Sequence, residues 1–195
     1  MANDTALFLG QFLRSPGTIG AVAPSSRRLA AAVCAPIPER GEPVVVELGP
    51  GTGAFTAEIQ RRLGGRGHHL AVELNETLAG LLAERFPGVD VAHADAARLT
   101  DLLGERGLRS ADVVVSGLPW AAFPNGLQHD LLAAVTAAMS PGAAFTTFSY
   151  AHAIALSSAR RFRALLAERF EEVVQGRTVW RNTPPAFVFN ARRPR

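Results

Sequence analysis

Five short stretches of the chain are apolar almost without interruption instead of alternating: 44–48, 69–73, 89–92, 112–115 and 143–148. A strand with one face in water alternates apolar and polar positions, whereas a strand covered on both faces does not. Helical spacing fills the intervals, at 54–63, 76–86, 98–103 and 127–139. Strictly alternating β and α elements predict a Rossmann-like, doubly wound, mostly parallel α/β sheet. The pattern then changes. A helix at 158–170 precedes apolar runs at 172–174 and 186–189, with Asn182-Thr183-Pro184-Pro185 between them and no helix. These two runs predict an antiparallel hairpin that completes a seven-stranded sheet. Residues 1–40 precede the first strand and predict two N-terminal helices, 4–14 and 25–34.

The 195 residues suit one α/β unit with a proper core. The reading is one domain: an N-terminal helical segment at 1–40 and a catalytic core at 41–195. With 48% apolar and 19% charged residues the chain is not disordered. Residues 131–159 carry no formal charge, but Ser140-Pro141-Gly142 interrupts them. They predict helix, turn and buried strand, not a membrane span. The single Cys34 excludes a disulfide framework and suits a reducing cytosol. All basic residues are Arg, which removes Schiff-base chemistry and any phosphate loop that needs Lys. The net charge of +3 gives an anionic partner only weak support. The first residues carry no basic stretch of the signal-peptide kind.

The strongest motif is Glu47-Leu48-Gly49-Pro50-Gly51-Thr52-Gly53, which follows the first strand and opens a helix. Glycines there let the backbone turn tightly and approach a ligand where a Cβ would clash. Amides at a helix start can then hold a polar group. Glu73 ends the next strand, 20 residues after Gly53, where a carboxylate accepts ribose hydroxyls. Asp95, past the third strand, can reach an adenine edge or cap the following helix.

In order, over residues 44–120, these features resemble the class I S-adenosylmethionine-dependent methyltransferases. The resemblance implies S-adenosylmethionine as cofactor, held by Glu47, Gly49, Pro50, Gly51, Thr52 and Gly53, by Glu73 with Leu74, and by Asp95 with Ala96. Ser116 and Ser25 join that set, and no metal is implied. The fourth strand runs into Ser116-Gly117-Leu118-Pro119-Trp120, where adenine-N6 methyltransferases carry Asn or Asp, then Pro, then an aromatic. Here Ser116-Gly117 stands where the amine-holding carboxamide would be.

A nearer likeness is to the bacterial phospholipid N-methyltransferases, which resemble the rRNA dimethylases but act on phosphatidylethanolamine. Three segments carry it: PGTIGAVAPSS at 16–26, SGLP at 116–119 and NTPPA at 182–186. It implies N-methylation of a phospholipid head-group amine towards phosphatidylcholine, by a cytoplasmic enzyme attached peripherally to the inner face of the cell membrane. The alternatives are adenine-N6 methylation of RNA or DNA, and a non-catalytic, membrane-attached cofactor-binding module.

Amine methylation needs positioning and desolvation more than a nucleophile. Ser116 and Gly117 are expected at the reacting centre, with Tyr150 as a proton relay or substrate contact and His152 as a second relay. Leu118 and Pro119 are expected to line the acceptor, and Trp120 and Phe123 to form an aromatic wall for an ammonium. Phe8, Leu9, Phe12 and Leu13 share one face of the 4–14 helix, which reads equally as a shallow membrane anchor or as a lid. Arg clusters at 27–28, 160–163 and 192–195 can meet lipid phosphate or a nucleic-acid backbone. No extra helical domain of the kind with which RNA dimethylases grip RNA is expected in this chain. Lipid is therefore favoured over nucleic acid.

Overall fold

The computed structural model describes residues 25–195. The expected 4–14 helix and most of the 16–26 segment lie outside the described residues.

The elements run in the expected order. Helix α1 (Arg27–Val33) is followed by β1 (Val44–Leu48), α2 (Ala54–Leu63), β2 (His68–Glu73), α3 (Glu76–Arg85) and β3 (Asp90–His93). Then come α4 (Leu99–Gly104), β4 (Ala111–Ser116), α5 (Asn125–Ala137), β5 (Met139–Tyr150), α6 (Ser157–Arg169), β6 (Phe170–Gln175) and β7 (Ala186–Pro194). They build one seven-stranded sheet in the order β3-β2-β1-β4-β5-β7-β6. The five strands β1 to β5 are parallel, and β7 inserts antiparallel between β5 and β6. The two C-terminal strands therefore pair as expected, with the second of them against the body of the sheet.

The uninterrupted apolar runs are explained by cover on both faces. Val46, Leu48, Val114 and Phe145 pack into one core with Leu102, Leu132, Phe162 and Leu166, from α4, α5 and α6. Val45, Val113, Val115 and Val188 point the other way, onto Leu29 and Val33 of α1 and Phe55 and Ile59 of α2. One expectation is corrected. Ser140-Pro141-Gly142 is no turn ahead of the strand, because β5 begins at Met139 and carries these residues as an irregularity in its pairing with β4. Pro141 and Gly142 are exposed there, so the missing ladder donor of proline costs nothing.

The amino ends of β2 and β3 are tied by charge. Arg106 grips Asp90 with two bonds of 2.6 and 3.0 Å, and His68 Nε2 lies 3.0 Å from the same carboxylate. The Arg106 guanidinium, and then His68, hold the Asp90 carboxyl below its usual range against the opposing effect of burial. Because the folded value is depressed, the stability it brings is present above the unfolded value of 3.8 and is lost as pH falls through the depressed one. Arg106→Ala is thus expected to lower stability near pH 7 by about 1 kcal/mol. Urea titrations should show the gap between variant and parent closing as pH falls below the unfolded value of 3.8.

Candidate active site

Strand order reverses between β1 and β4, and the loops leaving their carboxyl ends part to opposite sides. In an open α/β sheet this is where a ligand crevice forms. All three glycines of the loop after β1 have positive φ: 65° at Gly49, 53° at Gly51 and 83° at Gly53. At two of the three, neighbouring side chains also stand close, whereas Gly51 faces open space. A Cβ on Gly49 would meet the Leu118 side chain at 2.8 Å, and one on Gly53 the Phe86 ring at 2.7 Å. Gly117 has an ordinary φ, yet a Cβ there would come within 2.5 Å of the Gly49 carbonyl oxygen. The loops after β1 and β4 therefore touch through bare backbone, and the Gly117 N–H donates to Leu48 O at 2.8 Å.

Glu73, at the end of β2, turns its carboxylate into this loop. One oxygen accepts the Gly51 N–H at 3.1 Å and the other the Asn75 N–H at 3.0 Å. Each oxygen keeps a further lone pair. The carboxylate thus fixes the glycine turn and retains the capacity to accept vicinal hydroxyls. Asp95 accepts the Ala97 N–H at 2.9 Å and so caps the 3-10 turn Ala96–Arg98. Its second oxygen makes no such bond. Leu74 accepts from His93 Nε2 at 3.1 Å, which ties the ends of β2 and β3 together.

Glu47 is buried completely beneath the glycine loop. Its Oε2 accepts the Thr56 hydroxyl at 2.7 Å and lies 3.2 Å from His69 Nε2. The Gln60 amide donates to His69 Nδ1 at 2.9 Å, which places the ring proton on Nε2, facing Glu47. Among the described residues the other Glu47 oxygen has no hydrogen-bond partner. A buried acceptor left open beside a glycine cradle fits the ammonium of an amino-acid ligand. With Glu73 for a sugar, the set fits S-adenosylmethionine. Thr56, Gln60 and His69 escaped the sequence reading, because each reads alone as an ordinary helix or strand residue.

The segment after β4 is tied down from three sides. Ser116 is fully buried, and its hydroxyl accepts the Trp120 indole N–H at 2.9 Å and the Leu118 N–H at 3.3 Å. Its carbonyl accepts the Thr147 hydroxyl at 3.0 Å. The expectation of a catalytic Ser116 is corrected, because the hydroxyl is committed to holding its own loop. The aromatic wall is corrected too. Trp120 and Phe123 are only 2% and 1% exposed. The indole stacks on Phe162 at 4.7 Å and meets Phe123 and Phe145 edge-on. Apolar burial outcompetes display, and both rings belong mainly to the core. Leu118 and Pro119 remain on the cradle side, with Leu118 packed under Gly49.

Tyr150 ends β5 half-buried. Its ring meets Phe148 edge-on and stacks on the exposed His152 at 5.6 Å. Burial pushes its hydroxyl up from the ordinary value of 10.0, so it stays protonated near neutrality. Cys34 is buried and its thiol is pushed far up, first by burial and then by Glu47, so it is no nucleophile.

Two segments far apart in sequence meet at this edge. The Ser26 N–H donates to the buried Asn182 side chain at 2.9 Å, across 156 positions, and Asn182 Nδ2 donates to Pro184 O at 2.7 Å. Pro185 O in turn accepts the Ala151 N–H at 2.8 Å. The NTPPA segment therefore links the start of α1, just past Ser25, to the loop after Tyr150. Among the described residues no group of three or more His, Cys, Asp or Glu is placed to hold a metal. No described helix is long and apolar enough to cross a membrane.

Comparison with known proteins agrees with this geometry. The chain is 36% identical over 192 residues to an ornithine lipid N-methyltransferase of Singulisphaera acidiphila, covering 97% of this chain and 96% of that one. It is 39% identical over 93 residues to a ribosomal RNA small subunit methyltransferase A of Burkholderia mallei. That match covers 46% of this chain and only 34% of the relative. Human methyltransferase-like protein 13, solved in complex with SAH, shares the fold with a TM-score of 0.65 at 15% identity, over 85% of this chain and 81% of that one. No protein-family model matches the chain.

Glu73→Ala removes both ties of the glycine turn together with the acceptor for a sugar. It is expected to weaken S-adenosylmethionine binding at least about tenfold, roughly 1.4 kcal/mol, by isothermal calorimetry.

Proposed function

We propose that this chain, which belongs to the class I S-adenosylmethionine-dependent methyltransferases and is an N-methyltransferase, methylates the head-group amine of a membrane lipid. The observation that carries this reading is the extent of the likeness. Similarity to the lipid N-methyltransferase runs over nearly the whole chain, whereas similarity to the ribosomal RNA enzyme covers less than half of it. The longer match takes in the NTPPA segment, which the Ser26–Asn182 contact ties to the crevice. Phosphatidylethanolamine is the acceptor that the PGTIGAVAPSS, SGLP and NTPPA segments favour. An ornithine lipid is the second reading, favoured by what the relative's own name says it methylates.

Bound S-adenosylmethionine supplies a methyl group activated by a sulfonium. The chain supplies position and a dry setting. Glu73 and the glycine turn fix the sugar side, and Glu47 offers its open oxygen to the amino-acid side. Gly117 lets the loop after β4 lie against Gly49, which brings Leu118 and Pro119 to the crevice. An acceptor amine reacts only when neutral, and an apolar setting favours the neutral form. Tyr150, protonated near neutrality, serves as a hydrogen-bonding partner that orients the amine, and not as a base. Contact with the inner face of the cell membrane through residues 4–14 belongs to the same proposal.

Two measurements test it. Incubation with methyl-labelled cofactor and phosphatidylethanolamine vesicles, ornithine-lipid vesicles or total RNA is expected to place label in a lipid fraction. Label in RNA alone would overturn the assignment. Tyr150→Phe is expected to slow transfer about tenfold while calorimetric cofactor affinity stays within twofold; an unaltered rate would reduce Tyr150 to packing.

A further inference from the structure

Beyond the crevice, α6, the carboxyl end of β5 and the hairpin enclose a second cavity of about 220 Å³. Its apolar wall is made by Phe162, Phe187 and Phe189, with the edge of Trp120. The opposite rim carries Arg160 and Arg163, which lie one turn apart on α6. Among the described residues no carboxylate lines the cavity and neither arginine makes an ion pair. Arg160 spends one N–H on Ala155 O at 3.1 Å and keeps the others. Ser149, pointing to this side of β5, also lines the cavity. Its hydroxyl oxygen is shielded from solvent and has no hydrogen-bond partner among the described residues. Ile154, which also lines the cavity, is about half exposed, at 51%.

An apolar floor, two guanidiniums with donors to spare and a hydroxyl without a partner among the described residues form a matched set. Guanidinium binds phosphate or carboxylate in forked pairs, and a shielded hydroxyl without a partner is costly until something bonds to it. The volume is below that of a typical drug-sized pocket, so it suits one anionic group with the first methylenes of a chain and not a whole lipid. Ile154 offers the chain an apolar way out. The cavity also adjoins the reaction site through a single loop. Leu118 of the segment 116–120 packs under Gly49, while Trp120 of the same segment lines the cavity.

We infer that this cavity is the acceptor-anchoring subsite, in which Arg160, Arg163 and Ser149 bind the anionic group of an amphiphile whose nearby amine is methylated. The inference rests on the lipid reading above and names the part of the lipid that the protein holds. A phosphate and a carboxylate share the required chemistry.

The test compares the full chain with the double variant Arg160→Ala/Arg163→Ala and with Ala159→Trp, which fills the cavity from α6. Methyl transfer is followed in mixed micelles containing phosphatidylethanolamine, ornithine lipid or sphingosine, an amine without an anion. Both variants are expected to raise KM at least tenfold for an anionic acceptor, with kcat and calorimetric cofactor affinity within twofold. Sphingosine kinetics should not change. Arg160→Lys/Arg163→Lys should recover most of the loss. A penalty confined to phosphatidylethanolamine identifies phosphate, and one confined to ornithine lipid identifies carboxylate. Unchanged KM for every methylated anionic lipid would overturn the inference and leave the lipid reading intact. Equilibrium dialysis of dibutanoyl phosphatidylethanolamine separates the two claims further. Binding by the parent and not by the double variant, with no lipid methylated, would uphold the subsite and reject the methylation. Equal binding by both, or by neither, would reject the subsite.

Discussion

Between the ends of β1 and β4 there is room for backbone and for nothing more. The missing Cβ of Gly117 is what allows that loop to lie against the Gly49 carbonyl, and the missing Cβ of Gly49 is what leaves space for Leu118. This contact sets the rest of the site. It aligns the turn whose amide Glu73 holds, and it fixes where Ser116, Leu118 and Trp120 fall. A side chain at Gly117 would push two loops apart that belong to different strands, so the damage would reach the cradle and the acceptor side together.

Beneath that contact the protein accepts a buried carboxylate. Glu47 is completely enclosed, which is costly unless its oxygens are partnered. The Thr56 hydroxyl satisfies one oxygen, His69 Nε2 stands 3.2 Å from it, and among the described residues the second oxygen has no partner. An apolar residue there would pack more cheaply. That the chain keeps a half-satisfied carboxylate under its most constrained loop is an argument that a ligand completes the set.

The fold was legible in the sequence because burial on both faces writes itself as unbroken apolar runs, and VVVEL and DVVV have no other explanation in a chain this short. The glycine loop and Glu73 were legible because backbone angle and close approach admit few residue types. What failed is instructive. Trp120 and Phe123 read as display residues because they follow a site motif, yet the indole stacks on Phe162 and meets Phe145 and Phe123 edge-on, and rings of that size gain more from such packing than from standing in water. Ser116 read as chemistry because of its place, and its place is what makes it a tie for the Trp120 indole. The Ser26–Asn182 contact and the Arg160 cavity were beyond reach, because each joins segments that only the closed sheet brings together.

The cofactor half of such a fold leaves the acceptor undetermined, since the same cradle serves many methyl acceptors. The choice lies in what surrounds the carboxyl edge beyond β4. Here that surrounding is made by β5, the inserted β7 and α6, and it is aromatic within and cationic only at its rim. A nucleic-acid backbone calls for a row of cations along an open groove, with aromatic faces available for stacking. Around this cavity the chain buries its aromatic faces, those of Trp120, Phe162, Phe187 and Phe189, and gathers two arginines over a small volume, while Trp180 stands 77% exposed outside the cavity lining. That arrangement suits one anion with an apolar tail better than a polyanion, and it is a property of the α6–β7 packing and not of the cradle.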